Sequence, residues 1–320
     1  MPGLGEFELI ERFFTRPARR AALGVGDDCA LIQPTPGMTL AVSSDMLIEG
    51  RHFVSTVSPE RLGHKALAVN LSDLAACGAR PLAFTLSLAL PHVDEAFLAA
   101  FSRGLFALAE REGCELIGGD TTRGPLVIAI TVLGEVPSGS ALLRSGARPG
   151  DDLYVSGTLG DARLALEVFR GNVALDEASF RSVRQAMESP TARIGLGLAL
   201  RGLATSAIDV SDGLLGDLAH VLERSGAGAV VEIEALPRSA VLAAQALAVQ
   251  HECLLTGGDD YELVFTAMPE RRDAVAAAAS HAAVPVTRIG HIESGHQLRV
   301  VDRHGEAVTG RGRPFDHFRP

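Results

Sequence analysis

Leu126 to Val136 is apolar and β-branched almost throughout, and a run of that kind belongs inside a sheet. Pro81 to Leu90 alternates more loosely and reads as a second long strand. Strands this apolar want both faces covered, so helices or another sheet must lie against them. The chain supplies helices between them. Ser58-Pro59-Glu60 has a capping hydroxyl, proline at the first helical position and an acid in the first turn. The pattern it opens runs to Cys77 and stops at Gly78, a helix terminator. Asp94 caps a second helix, through Ala109. Met38 to Val42 is a shorter strand that ends in Ser43-Ser44-Asp45. Strands and helices in this order predict an α/β fold of the mixed, α+β kind.

A chain of 320 residues divides most naturally into about two domains. The turn-rich segment Gly146-Ala147-Arg148-Pro149-Gly150 suits a linker, which predicts domains over 1–145 and 146–320. In the second block, strands are expected at Asp152 to Ser156, Ala207 to Val210, Ala229 to Ile233, Glu262 to Thr266, Val286 to Ile292 and Leu298 to Val301. Helices are expected over Gly160 to Arg170, after Ser189-Pro190-Thr191 and after Ser211-Asp212-Gly213.

Composition removes several function classes. Lys and Arg number 29 against 39 Asp and Glu, a net charge of −10, which argues against binding nucleic acid along its phosphate backbone. Aromatic residues are 5% with no Trp, which argues weakly against base-stacking platforms. Ala274 to Val286 is broken by Ser280, His281 and Pro285, and no apolar stretch reaches the length that spans a bilayer. Glu6, Glu8 and Glu11 stand where a signal peptide would be basic and then apolar. Cys29, Cys77, Cys114 and Cys253 lie far apart, without zinc or iron–sulfur spacing. A reduced, cytoplasmic protein is expected.

The aspartates carry the chemistry. Gly26-Asp27-Asp28 precedes a strand, and Asp45 ends one. Asp73 interrupts the apolar helix Ala66 to Ala76, and Gly118-Gly119-Asp120-Thr121-Thr122 follows a short strand. Asp209-Val210-Ser211-Asp212-Gly213 follows another, and Gly257-Gly258-Asp259-Asp260-Tyr261-Glu262 precedes one. Carboxylates at strand ends beside glycines are where α/β proteins form ligand sites. Taken singly, most of these motifs read equally well as turns or helix caps. Asp73 is harder to set aside, because an acid on an apolar helix face costs several kcal/mol unless paired or metal-bound. Two carboxylates ~4 Å apart repel by roughly 4 kcal/mol at an effective dielectric of 20, so five or more converge only around cations. Oxygen ligands without His or Cys select Mg²⁺ over Zn²⁺. The adjacent glycines would let phosphates approach backbone N–H groups. Walker, dinucleotide-fingerprint and protein-kinase motifs are missing from the chain.

The segments Gly26-Asp27-Asp28-Cys29-Ala30, Asn70 to Ala76, Gly118-Gly119-Asp120-Thr121, Ile208 to Leu214 and Asp260-Tyr261-Glu262-Leu263 resemble the thiamine-monophosphate kinases, within the aminoimidazole ribonucleotide synthetase-like superfamily. The motifs follow the family's order through the closing Phe315-Asp316-His317-Phe318. The resemblance implies a two-domain architecture and a homodimer paired through the N-terminal sheets. It implies Mg²⁺-dependent transfer of the ATP γ-phosphoryl group to thiamine monophosphate, with several Mg²⁺ ions. Carried over, the metal positions are Asp28, Ser43, Ser44, Asp45, Asp73, Asp120, Asp209 and Asp212. The ATP positions are Gly119, Asp120, Arg144 and Ser211, and the acceptor positions are His52, Asp259 and Phe315. Asp259 replaces the family's usual Glu, and Ser44 its usual Thr.

No general base is expected. The acceptor is a phosphate monoester with a second pKa of ~6, already dianionic and nucleophilic at neutral pH. The alternatives are aminoimidazole ribonucleotide synthetase and a non-catalytic nucleotide-binding regulator. A selenophosphate synthetase would want a reactive Cys before Cys29, and a hydrogenase-maturation relative a C-terminal Cys; neither is present.

Overall fold

The structure, a computed structural model, describes residues 5–308. They divide into two compact units, one up to Leu74 together with Ala79–Gly139, the other Ala75–Gly78 together with Ser140 onward. In the first unit, helix α1 (Glu6–Leu9) continues into a π-helical turn, Ile10–Phe14. Then come β1 (Met38–Ile48), α2 (Pro59–Ala76), β2 (Arg80–Leu90), α3 (Glu95–Glu112), β3 (Glu115–Arg123) and β4 (Val127–Pro137). The four strands lie in the order β1-β4-β2-β3, antiparallel except for β2 and β3.

The helix signals work as read from the sequence. The Ser58 hydroxyl accepts the Arg61 amide at 3.3 Å, and Asp94 accepts those of Ala96 and Phe97 at 2.9 and 3.0 Å. Gly78 is left-handed, with φ 65°. Helix α3 runs past Ala109 to Glu112, where Gly113 at φ 63° ends it.

Three strand expectations are corrected. β1 does not end at Ser43-Ser44-Asp45; it carries them in full register with β4 as far as Ile48 opposite Val127. Gly118 to Thr122 lies inside β3 rather than after it. Gly26-Asp27-Asp28 precedes no regular strand and sits between the isolated bridge pairs Leu23–Leu31 and Val25–Asp27. Ser, Asp and Gly are poor strand formers by composition, and the neighbouring strands' hydrogen bonds overrode that preference.

One face of this sheet buries Phe84 and Leu88 of β2 with Ile128, Ile130 and Val132 of β4. Helix α2 lies on it: the Leu74 side chain comes within 3.0 Å of where a Cβ on Gly134 would stand. Helix α3 meets α2 backbone to backbone. A Cβ on Gly104 would stand 1.8 Å from the Glu60 carbonyl oxygen, and one on Gly63 2.1 Å from that of Phe101. The sequence led us to expect two covered faces. Within one chain the other face stays open along β1, where Val42 is 61% and Met46 53% exposed.

The second unit comprises β5 (Asp152–Ser156), α4 (Asp161–Phe169), α5 (Glu177–Glu188), α6 (Ile194–Leu200), β6 (Ala204–Asp209), α7 (Leu214–Ser225), β7 (Gly228–Glu232), α8 (Ala240–Ala243), α9 (Leu247–Thr256), β8 (Leu263–Ala267), α10 (Arg272–His281), β9 (Val286–Glu293) and β10 (Leu298–Val301). The sheet order is β10-β7-β9-β5-β8-β6, with β10 and β7 the parallel pair. Its core joins Leu153, Val155, Ile208, Leu218, Val264 and Ile289. Edge strand β6 pairs antiparallel with β8.

Replacing Gly104 with Ala should force α2 and α3 apart, because backbone at 1.8 Å cannot move aside as a flexible side chain would. We expect a loss of about 1–3 kcal/mol or more, measured as a lower denaturant midpoint. Gly195→Ala, whose new Cβ would meet only Ala282 at an ordinary 3.9 Å, should leave the midpoint unchanged or raise it. Equal midpoints for Gly104→Ala and wild type would refute this account of the helix crossing.

Candidate active site

Strand alternation sorts the first unit's polar residues. Ser43 and Asp45 stand opposite Val132 and Ile130 on the helix-covered face, while Ser44 stands opposite Thr131 on the open face. Because β1 is an edge strand, some of its amides have no ladder partner. That of Asp45 is taken by buried Asn70 of α2, whose Oδ1 accepts it at 3.0 Å while its Nδ2 donates to the Ala66 carbonyl at 3.0 Å. One turn on, Asp73 accepts a short hydrogen bond from the Ser43 hydroxyl. The polar interruption of α2 is thus a docking point for β1. Ser44 Oγ bonds the Ile130 carbonyl and Thr131 Oγ1.

On the far side of the sheet, a cavity of about 820 Å³ brings Asp28, Gly119 and Asp120 together beneath the α1 segment. Gly119, at φ 144°, has no room for a side chain: a Cβ would stand 1.8 Å from the Leu86 carbonyl oxygen. Asp27 and Asp28 are exposed, and Asp27 accepts the Asp28 amide at 2.9 Å. Within one chain these acids do not join those of β1. Asp120 pairs across with Ser87, Ser87 with Ala129 and Ala129 with Met46, so Asp45 and Asp120 lie at opposite edges of the sheet. Three strand spacings make about 14 Å between them, far beyond two aspartate side chains and Mg–O bonds of ~2.1 Å. They also project from opposite faces. After β1 the chain turns at Gly50, φ 78°, and His52 Nδ1 accepts the Ile48 amide at 3.0 Å. The neutral ring therefore carries its proton on Nε2.

In the second unit, β6 ends at Asp209, which is buried and paired with Leu263. Pairing continues past the strand ends. The Val210 amide bonds the Glu262 carbonyl at 2.8 Å, the Tyr261 amide the Val210 carbonyl at 2.8 Å, and the Asp259 amide the Ser211 carbonyl at 2.9 Å. Asp259 and Tyr261 take positive φ, 69° and 52°. Asp tolerates that region better than most residues do, which suits Asp rather than Glu at position 259. The Tyr261 hydroxyl then holds the Asp259 carboxylate at 2.9 Å. Buried Glu262 is held by Arg193 Nε at 2.7 Å and by the Ser156 hydroxyl, which also accepts the Leu263 amide at 2.8 Å. Buried Asp260 accepts the Gly160 amide, at the start of α4, with both oxygens. Burial pushes its carboxyl well above the usual range against that bond's pull. Arg144 is exposed. Phe315 lies outside the described residues.

Sequence reasoning missed Asp217. Its Oδ2 accepts the amides of Ser211, Asp212 and Gly213, each at 3.1 Å. Burial, joined by the Asp212 charge, pushes its carboxyl up to about 7 although the amides pull it down. The only sequence signal was an acid in the first turn of α7. In this loop Asp217 already occupies the amides of Ser211, Asp212 and Gly213.

All the singled-out donors are carboxylate and hydroxyl oxygens, which fits a hard cation. Among the described residues no three acids, imidazoles or thiols converge as a finished metal site. Mg²⁺ keeps waters and draws on substrate phosphates, so it needs no complete protein cage.

The sequence matches the AIR synthase related protein N-terminal domain over residues 26–136 and the C-terminal domain over 148–303. The chain belongs to this two-domain family. Within it, the chain is one of the thiamine-monophosphate kinases. It is 45% identical to the thiamine-monophosphate kinase of Salmonella typhimurium over 324 aligned positions, covering 98% of both chains. The crystal structure of thiamine-monophosphate kinase from Stenotrophomonas maltophilia superposes with a TM-score of 0.84 at 46% identity, over 90% of this chain and 92% of that one. A structure described as AaThiL complexed with AMPPCP and TMP superposes at 0.77, with 32% identity over 89% of each.

A carboxyl raised to about 7 in the folded chain, against about 4 in the unfolded one, binds its proton more tightly when folded. That contribution is complete below about pH 4 and is lost as pH rises through 7. Asp217→Asn removes the titration. The apoprotein's melting temperature should therefore fall less between pH 5 and pH 8 in the variant than in wild type. Parallel pH profiles would contradict the shift.

Proposed function

We propose that this protein transfers the γ-phosphoryl group of ATP to thiamine monophosphate, giving thiamine diphosphate and ADP. The observation that carries this reading is 45% identity to a thiamine-monophosphate kinase along 98% of both chains. A phosphate oxygen of the acceptor bonds the γ-phosphorus while the bond to the β,γ-bridging oxygen breaks, and ADP departs. The acceptor is already a dianion at neutral pH, so no side chain has to remove a proton. The chain's task is to hold two anions in line.

Asp28, Ser43, Ser44, Asp45, Asp73, Asp120, Asp209 and Asp212 are the residues that would hold Mg²⁺. When bound, the cation offsets the repulsion between the two phosphate chains and polarises the transferred group. Gly119 and Asp120, which line the cavity with Asp28, serve the nucleotide. Ser211 offers its hydroxyl, and exposed Arg144 adds a mobile positive charge on the phosphate side. His52 Nε2 and the Asp259 carboxylate serve the acceptor, the latter matched to a cationic thiazolium or an aminopyrimidine. Residues 1–145 are the ATP-binding, metal-binding and dimerisation domain, and residues 146–320 the C-terminal α/β domain. Four free thiols and the use of ATP support a cytoplasmic setting.

The working unit is a homodimer. Its support is the uncovered apolar strip of Val42 and Met46 on β1, together with acids stranded at opposite edges of one sheet. A second copy over that strip buries the apolar surface and brings in another set of edges.

Turnover should require ATP, thiamine monophosphate and Mg²⁺ together, and should stop with excess EDTA. Asp120→Asn should lose most of it at an unchanged melting temperature, since Asp120 is exposed and supports no packing. Phosphorylation of a purine precursor in place of thiamine monophosphate, or full activity under EDTA, would overturn the respective half of the reading.

Sedimentation should give twice the 33.5 kDa chain mass for wild type. The double variant Val42→Lys, Met46→Lys should give the single mass. A wild-type monomer at micromolar concentration would refute the dimer.

A further inference from the structure

The N-terminus of a helix beside a glycine is ordinarily a ready anion site, with amides pointing at the ligand. Helix α7 has that form, since Ser211-Asp212-Gly213 leads into it. Yet the site is filled from within. One oxygen of Asp217 takes three successive amides at 3.1 Å each, while the residue itself is only 4% exposed. An ordinary first-turn cap satisfies one amide or two. Other backbone groups of the turn are committed as well. The Val210 amide and carbonyl go to Glu262 and Tyr261, the Ser211 carbonyl to the Asp259 amide, and the Gly213 carbonyl to the Asp217 amide. The turn also cannot relax outward. Gly213 sits at φ 119°, with Thr256 backbone 2.8 Å from where a Cβ would be. The side chains that face outward from the turn are those of half-buried Ser211 and exposed Asp212.

We propose that Asp217 is a positioning residue of the phosphoryl-transfer site. Its carboxyl oxygen binds the turn's amides from within, so that this loop meets the nucleotide through Ser211 and Asp212 and a bridging cation rather than through backbone N–H groups. This rests on the function proposed above.

The test uses the full chain, the probe Mg²⁺ with AMPPCP, and titration calorimetry alongside thermal melts. Asp217→Ala should raise the dissociation constant for Mg·AMPPCP at least tenfold. Asp217→Asn keeps an oxygen that can accept the same amides but loses the charge, and should raise it about threefold to fivefold. Leu218→Ala, which hollows the core on the same helix, should lower the melting temperature and leave that constant within twofold. Asp217→Ala binding within twofold of wild type overturns the proposal. So does an equal loss of binding in Leu218→Ala, which would make the effect one of stability. If Asp217→Ala does not fold, Asp217→Asn decides alone, and wild-type affinity there overturns the proposal. Wild-type protein that binds Mg·AMPPCP but does not phosphorylate thiamine monophosphate removes the assigned reaction and leaves this inference standing. Wild type that fails to bind the analogue removes both.

Discussion

Acids gathered for chemistry repel one another and lose solvent, so each needs a donor that holds it in place. In this protein the donors are mostly the backbone and small side chains. Asp73 takes the Ser43 hydroxyl, Asp217 three consecutive amides, and Asp260 the amide that starts α4. The arginine in this set goes to Glu262, which carries a strand end rather than a ligand position. Neutral donors orient a carboxylate without cancelling its charge. Burial, and not these donors, pushes the Asp217 and Asp260 carboxyls towards the neutral form.

The same requirement shapes the two units differently. In the first, β1 lies at a sheet edge and borrows its missing ladder bond from Asn70, so strand and helix are fixed to each other at the polar residues. In the second, antiparallel pairing between β6 and β8 runs on into the loops and binds Ser211 to Asp259 through their backbones.

Some helix boundaries were legible where a local group carries the signal, Ser58 and Asp94 at starts and Gly78 at an end, while the Asp176 cap of α5 and the end of α3 at Gly113 went unread. Capping bonds span a few residues, so the sequence contains both partners. Strand limits were less legible. Ser43-Ser44-Asp45 and Gly118 to Thr122 look like loop by composition and are strand by pairing, because the ladder partners lie in β4 and β2. Helices α9 and α10 went unassigned, since neither Leu247–Thr256 nor Arg272–His281 has a side-chain cap.

The sequence by itself determined the chemical kind of the protein. Oxygen donors without His or Cys, glycines beside aspartates, and the order of the motifs follow from composition and spacing, and none of these depends on how the chain closes. Only the tertiary structure decided which donors meet. It set Asp28 with Asp120 in one cavity and Ser43 with Asp73 on another face. It placed Asp45 and Asp120 at opposite edges, and it brought Asp217 beneath the turn before its own helix. The reason is physical. A residue's type is local, but the distance between two residues far apart in the chain is set by sheet order and register, which every strand in the sheet settles together.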